Sequence, residues 1–535
     1  MITVELKNGQ VVKGLNKSER ELLKESVTFN NPSYAKAKRY ARNPRYISIP
    51  THLNYYREYS EPTKSGERVK VLEVPIGVNV KEVLRTKKIK YIDKRVTHEV
   101  VYPKFALTLR KDQERAERSY LDQVKGLNVN SKCIVQLPTG KGKSILALHI
   151  ASVLQQRTLV LVHKKDLVSG WKKDIELCFK NKADVGLIQG KSRNIGKHIT
   201  IATVQTLSRM DKDEFNTFID QFGFVVQDEF HHLGINMFNI ISAFNSKYKI
   251  GLSATPKRED GYDFTFKLFL GGIGFKYEYD PKDKDICKVK VITKTSRAKY
   301  KPFIHSSGVF NYYDYSEDQL PKNLIFVEDL PYKERPRIPF LEIDNNLVSN
   351  RKTKIMVCKD ILREYRQGRS CLALFTQKDH IRQYYNYLCM YMPEDKIMCY
   401  YGDSKEDSSI LMEKAESKEV LVTLGTYAKT TEGTNVKSWE VLFLVSSLNN
   451  EKNVEQATGR IRRSKEGKID PVLVYDYRYE GSYSVSNHGY TRDRVYKMLK
   501  YDYNNRTEKT SYKNTPNRSN SKGYGRRLFD YNFKV

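Results

Sequence analysis

A chain of 535 residues carrying 94 Lys and Arg against 63 Asp and Glu, a formal charge of +31, is long enough for about three or four domains, each with its own core. So large a positive excess excludes an electrically indifferent surface and suits a polyanionic partner, nucleic acid first among them. No run approaches eighteen apolar residues, Met1–Gln10 has neither an apolar signal core nor a cleavage site, and the seven cysteines (133, 178, 287, 358, 371, 389 and 399) form no C-x-x-C pair; the expectation is therefore a soluble, intracellular, cytoplasmic chain without membrane, disulfide or zinc chemistry.

The first elements predicted are a β-hairpin over Thr3–Lys13 around Asn8-Gly9 and a helix over Lys17–Lys24, followed by a basic, tyrosine-rich stretch from Tyr34 to Tyr59. Residues 1–104 read as a small α+β accessory domain. The segment Tyr34–Tyr46 interleaves cations with aromatics, a composition that suits duplex or junction DNA. From Leu107 short apolar runs alternate with amphipathic segments, the pattern of parallel strands covered by helices. The strands of this first α/β lobe, 105–287, are Cys133–Leu137, Thr158–Val162, Ile199–Thr203, Phe224–Gln227 and Lys249–Ser253. Residues 288–345 are irregular, rich in proline, tyrosine and mixed charge, and read as a β-rich insertion or linker. A second α/β lobe, 346–480, carries strands at Cys371–Phe375, Ile397–Tyr401, Glu419–Leu424, Val441–Ser447 and Pro471–Tyr477. The tail, 481–535, is polar and basic, and its last thirty residues are expected to fold weakly or only on a partner; its arginines 518, 526 and 527 are further candidates for contact with nucleic acid.

Chemistry concentrates in three places. Leu137-Pro-Thr-Gly-Lys-Gly-Lys-Ser144 follows a strand and opens a helix. Thr139, Gly140, Lys141 and Gly142 turn backbone amides toward phosphate oxygens, Lys143 brings a positive charge to the β and γ phosphates, and Ser144 offers a hydroxyl to Mg²⁺. The general phosphate-loop pattern has glycine where this chain has Leu137. Some eighty-five residues on, Val225–His232 runs from an apolar strand into Asp228-Glu229-Phe230-His231-His232. Asp228 is the candidate Mg²⁺ ligand and Glu229 the group that orients and deprotonates an attacking water; His231 is read as coupling the nucleotide to the other lobe. In the second lobe Gln456, Arg460 and Arg463 recur at helical spacing and share one face. Arginine suits a reach across a cleft, because its planar fork stays charged and grips phosphate oxygens in pairs. Arg462 lies off that face and reads as a plain basic residue.

With these motifs the chain resembles the DExH-type helicases of superfamily 2, across both lobes from Leu107 to Tyr477. The resemblance implies two RecA-like lobes that hydrolyse ATP with Mg²⁺ in the cleft between them. It makes Gln113, in Leu109-Arg-Lys-Asp-Gln113, the adenine contact with Arg110 supporting it, and Gly433 part of the nucleotide-sensing segment 425–436 (GTYAKTTEGTNV), where the family's usual aspartate is replaced by Asn435. Ser253-Ala-Thr-Pro256 resembles the motif linking hydrolysis to lobe movement. The segments 159–171, 200–207 and 375–376 resemble those that grip one nucleic-acid strand, with His163, Thr203, Gln205, Thr376 and Thr434 as contacts to its phosphates. The Asp-Glu-x-His pairing is most similar to the XPB-like and UvsW-like group. That likeness implies work on single-stranded, forked or branched DNA (unwinding, branch migration, reannealing) in replication, recombination or repair, by a monomer in the host cytoplasm if the chain is phage-encoded. An alternative is a nucleic-acid-dependent ATPase, acting on RNA as well, that translocates or remodels complexes without separating strands. A scaffold that has lost catalysis is disfavoured by intact Lys143, Ser144, Asp228, Glu229, Arg460 and Arg463.

Overall fold

The computed structural model describes residues 1–503 apart from 41–47, 63–66, 86–87, 128–130, 139, 231–239, 241, 255, 257, 259, 279–285, 306–307, 316–318, 332–333, 337, 403–407, 431–433, 435 and 481–482. The expected hairpin forms from Ile2–Leu6 and Gly9–Lys13 in antiparallel register, Glu5 opposite Val11, turning at Asn8-Gly9. Arg57–Pro62 and Arg68–Pro75 extend the sheet on one side, and Ile89–Asp93 pairs in parallel with Ile2–Leu6 on the other. Alternation along Ile2–Leu6 turns Ile2, Val4 and Leu6 to one side, where they pack with Leu23, Val27 and Leu72. The predicted helix runs Lys17–Ser26, opened by an Asn16 cap that pairs reciprocally with Glu19.

This domain is built onto the first lobe. Phe29 stacks on Phe264 with ring centroids 4.2 Å apart, Tyr262 donates its hydroxyl to Asn31 Oδ1 at 2.9 Å, and the Gly77 amide donates to the Leu268 carbonyl at 2.8 Å. The approach at Gly77 is so close that an added Cβ would sit 2.0 Å from the Lys267 carbonyl oxygen, so only glycine fits.

The first lobe is an eight-stranded sheet. In order across it lie Ser192–Asn194, Val185–Gln189, Ile199–Thr203, Thr158–Val162, Phe224–Asp228, Tyr248–Ser253, Ile134–Gln136 and Ile273–Lys276. Every pairing is parallel except that of the Ser192–Asn194 edge. The central strands are buried on both faces, which is why they read as short, mainly apolar runs. Register aligns their ends: Asp228 pairs with Leu252, and Ser253 with Gln136. The segments after Gln136, Asp228 and Ser253 therefore leave one edge of the sheet side by side.

The second lobe is a seven-stranded, wholly parallel sheet: Ile397–Tyr400, Val422–Thr426, Cys371–Phe375, Val441–Leu444, Val472–Glu480, Val289–Lys299 and Asp502–Tyr503. Two of these strands depart from the sequence reading. Val289–Lys299 lies in the stretch read as a linker, yet pairs along Val472–Glu480; lysines and threonines at alternate positions concealed its buried Val289 and Val291. Beyond it the insertion is β-rich as expected, with a small antiparallel sheet of Pro302–His305, Gly308–Asn311 and Ile325–Phe326. The stretch read as a basic tail begins with a helix, Tyr483–Met498, that packs on the second lobe. It is fixed less by an aliphatic stripe than by the buried ion pair of Arg492 with Asp476, 2.8 Å, and by Tyr496. All seven cysteines are free, five of them buried and Cys389 and Cys399 half-buried, as small core residues would be. Among the described residues no helix is long and apolar enough to cross a membrane.

Candidate nucleotide site

The loop after Gln136 turns through two left-handed glycines, Gly140 at φ +89° and Gly142 at φ +69°, into the helix Lys143–Leu154. Gly142 is required twice over: its φ is costly for other residues, and a Cβ there would lie 2.5 Å from the Gln113 amide nitrogen. Gln113 braces the loop from beneath, its Nε2 donating to the carbonyls of Lys141 (3.1 Å) and Gly142 (3.0 Å) while its Oε1 accepts the Arg110 amide (2.8 Å). The expectation of an adenine contact meets a buried amide already engaged by backbone. Arg110 reaches the Gly140 carbonyl at 3.4 Å. Lys141 turns away from the loop's mouth into a buried ion pair with Asp112, 3.2 Å, over the Tyr277 ring. Thr139 lies outside the described residues.

Facing the loop is the end of the Phe224–Asp228 strand. Glu229 adopts a left-handed φ of +45°, a conformation that costs a non-glycine residue energy and marks sites under functional constraint. Its Oε1 accepts the Lys143 ammonium at 3.0 Å, so the loop lysine and the candidate base are paired. Asp228 is buried and accepts the Trp171 indole N–H at 2.9 Å. Burial, and then the adjacent Glu229 charge, push the Asp228 carboxyl up to about 6, with Lys143 and the indole pulling the other way. The Ser144 hydroxyl donates to Asp174, another carboxyl raised by burial. Trp171 and Asp174 were not singled out from the sequence; their spacing of three on the helix Asp166–Phe179, with Ile175 and Cys178 on the same buried face, was the signal available. His231 and His232 lie outside the described residues.

The second lobe closes the site with the helix Glu451–Ile461, whose first turn is capped by Asn450, its side-chain oxygen accepting the N–H groups of Lys452 and Asn453. Arg460 and Arg463 both donate to the Thr434 carbonyl, Arg463 at 3.2 Å. Arg463 continues across to the first lobe: its Cγ would stand 3.1 Å from a Cβ at Gly140. Its guanidinium is pushed down to about 10 by burial, against the attraction of Asp174 and Glu416. Gln456 is buried on the same helix, and its Oε1 has no hydrogen-bond partner among the described residues. Glu455, also missed in the sequence, is pushed up to about 7 by burial, although Lys143 and Arg462 pull it down, so a second-lobe carboxyl senses the loop lysine. Lys429 and Asp166 form another bridge between lobes at 2.6 Å. Arg462 is buried, its carbonyl accepting the Cys287 amide and its guanidinium over the Tyr501 ring; it is not the surface cation expected. Gly433 and Asn435 lie outside the described residues.

The five side chains expected on nucleic acid are mostly tied up within their lobes. Thr203 precedes the short helix Val204–Leu207 and shares a hydrogen bond with Thr206 at 2.7 Å; Thr434 donates to the Thr430 carbonyl at 2.7 Å; both are buried. His163 is buried and its carbonyl accepts the Gln205 amide. Thr376 is half-buried and donates to Asp344, and its N–H to Ser446 Oγ at 3.1 Å. These groups hold loop ends in place, whereas Lys165, Ser208 and Arg209 beside them are exposed. Of Tyr34–Tyr46, residues 41–46 fall outside the described residues, as do the tail arginines.

A phosphate loop, an acidic strand end and an arginine helix from a second parallel sheet, all meeting in one cleft, make up a two-lobed ATP-hydrolysing enzyme whose arrangement is similar to that of the superfamily 2 helicases, which act on nucleic acid. Comparison with known proteins gives its relatives. The family described as Type III restriction enzyme, res subunit, matches residues 106–258. The chain is 25% identical to "Probable helicase D10" of Escherichia phage T5, over 74% of this chain and 77% of that protein. It is 25% identical to "DNA 3'-5' translocase XPB2" of Sulfurisphaera tokodaii, over 70% of this chain and 83% of the relative. Among solved structures it is similar to T4 UvsW, with a TM-score of 0.37 and 15% identity, covering 94% of this chain and 98% of that one.

Proposed function

We propose that the chain is a DNA helicase or translocase that works on forked or branched DNA, and that the cleft between its lobes is the ATPase centre. The observation that carries this reading is Arg463 of the second lobe lying against Gly140 of the first-lobe phosphate loop. Hydrolysis there requires both lobes, so each turnover is tied to their closure. The +31 charge, and relatives named as a phage helicase and a DNA translocase, support DNA as the polymer.

In this reading Lys143 leaves Glu229 for the β and γ phosphates, which frees the Glu229 carboxylate to orient and deprotonate water. The donors near the loop are hydroxyl and carboxylate oxygens, Ser144 and Asp228, the hard ligands Mg²⁺ prefers. They would hold that ion, whose chemistry is to neutralise charge developing on the phosphates. Arg463 and Arg460 exchange the Thr434 carbonyl for phosphate oxygens, and Gln456 turns its open amide oxygen into the cleft. Trp171 positions Asp228. The domain limits proposed are an accessory domain near 1–104, a first lobe to about 287, and a second lobe that begins again near 346 and includes Val289–Lys299 and Tyr483–Tyr503.

The test is to compare ATPase stimulation by single-stranded DNA, forked DNA and RNA, then to assay strand displacement on the fork. Strongest stimulation by the fork with displacement supports the reading. Equal stimulation by RNA, or ATP turnover with no displacement, favours the remodelling translocase that the relative named a translocase brings to mind.

A further inference from the structure

At the opposite edge of the first-lobe sheet from the phosphate loop lies a cavity of about 40 Å³, lined by residues of the accessory domain (Ile76, Gly77) and of the first lobe. Its volume has room for a few waters or for one tetrahedral oxyanion. Three cations border it: Arg95, just after the last accessory strand, Lys247, and Lys249. Lys249 is the second residue of the Tyr248–Ser253 strand, so it stands about 13 Å of extended chain from Ser253 at the nucleotide edge.

The charges do not balance. Arg95 is chelated by Asp93, with Nε to Oδ1 and a terminal nitrogen to Oδ2 both at 2.8 Å, and also donates to the Leu127 carbonyl. Asp93 is thus matched to Arg95 and also feels Lys247, which leaves Lys249 without a matching acid among the described residues. Lys249 is nine-tenths buried, with 9% of its surface exposed. Its carbonyl accepts the Tyr120 hydroxyl at 3.0 Å, but its ammonium has no hydrogen bond or ion pair with any described residue. Burial and the Arg95 charge push that ammonium down to about 8, so at neutral pH it still holds its proton. The nearby Cys133 thiol, pushed up to about 12 by burial, supplies no anion. A cation this enclosed and without a protein partner costs folding free energy, and a small apolar residue would pack the strand at no such cost.

We infer that this cavity is a binding site for one phosphate-class oxyanion, held by Lys249, Arg95 and Lys247 at the seam between the accessory domain and the first lobe. It is separate from the ATPase cleft. Its anion would come either from free inorganic phosphate, which ATP hydrolysis releases, or from the terminal phosphate of a nucleic-acid strand.

The experiment uses the full chain carrying Lys143→Ala, which weakens phosphate binding at the nucleotide loop, and follows thermal unfolding in inorganic phosphate against chloride at fixed ionic strength. Phosphate should raise the midpoint saturably while chloride does not. Adding Lys249→Met should abolish that response and leave the midpoint in chloride unchanged or higher, since an apolar stem of similar shape replaces an unpartnered charge. Lys247→Gln, at a half-buried position, should weaken the apparent phosphate affinity roughly tenfold, as expected for about one lost charge-assisted hydrogen bond. No saturable response in the Lys143→Ala chain, or a response that survives Lys249→Met, overturns the proposal. Oligonucleotides with a 5′-phosphate or a 5′-hydroxyl then identify the source: competition by the phosphorylated strand alone points to a strand end, and competition by neither points to the free ion, the site standing in both cases.

Discussion

Lys143 and Glu229, 3.0 Å apart, neutralise each other, and nucleotide must separate them. Lys143→Ala and Glu229→Gln should each abolish ATPase activity while leaving DNA binding largely intact; full turnover in either variant, measured with saturating DNA, would contradict the assigned roles. Asp228 offers a finer test. Its carboxyl is raised to about 6 by burial and by Glu229, and the charged form is the one that can ligate a cation, so kcat/KM should rise as pH increases through about 6. The Trp171 indole is one of the forces holding that carboxyl down, so Trp171→Phe should move the rise to higher pH. A profile that stays in place would remove Trp171 from any positioning role. At this scale the sequence pointed to residues that the fold brings together at the cleft, because glycine, lysine and paired carboxylates have few other uses at a strand end. It did not show which groups are already engaged. That Gln113 braces the loop, that Lys141 faces Asp112, and that Thr203 and Thr434 turn inward depends on side-chain directions that spacing does not encode.

Strands buried on both faces, such as Thr158–Val162, Ile199–Thr203 and Cys371–Phe375, were legible to the residue because no charged residue interrupts them. Val289–Lys299 and Tyr483–Met498 were not, for one shared reason: each is held by a few buried contacts amid charged residues. Asp476 is the sharpest case. It pairs with Arg492 at 2.8 Å and with Arg478 at 2.5 Å, and its side chain is wholly buried. Asp476→Asn would leave the buried Arg492 facing a neutral amide, with Arg478 keeping Asp493 at 2.7 Å, and breaking a buried pair in this way costs about 3–5 kcal/mol. The denaturant midpoint of the second lobe should fall accordingly; an unchanged midpoint would mean that the terminal helix is not part of that lobe's stability.

For the whole molecule, the +31 charge implies binding dominated by phosphate contacts, and the affinity for DNA should fall steeply and log-linearly with salt, with little dependence on base sequence. Titrations at several salt concentrations on unrelated sequences check both parts at once. The junction of the accessory domain with the first lobe gives a second test. Gly77→Ala, which would drive a methyl into the Lys267 carbonyl, should expose the seam to limited proteolysis while the nucleotide loop still binds ATP.

The Phe29–Phe264 stack and the Gly77–Leu268 hydrogen bond fasten that outer domain to the helix Phe264–Leu270, about ten residues past the end of the strand Tyr248–Ser253. The outer domain is therefore bolted to the first lobe as one stator, and any closing of the cleft swings the second lobe against that joined pair.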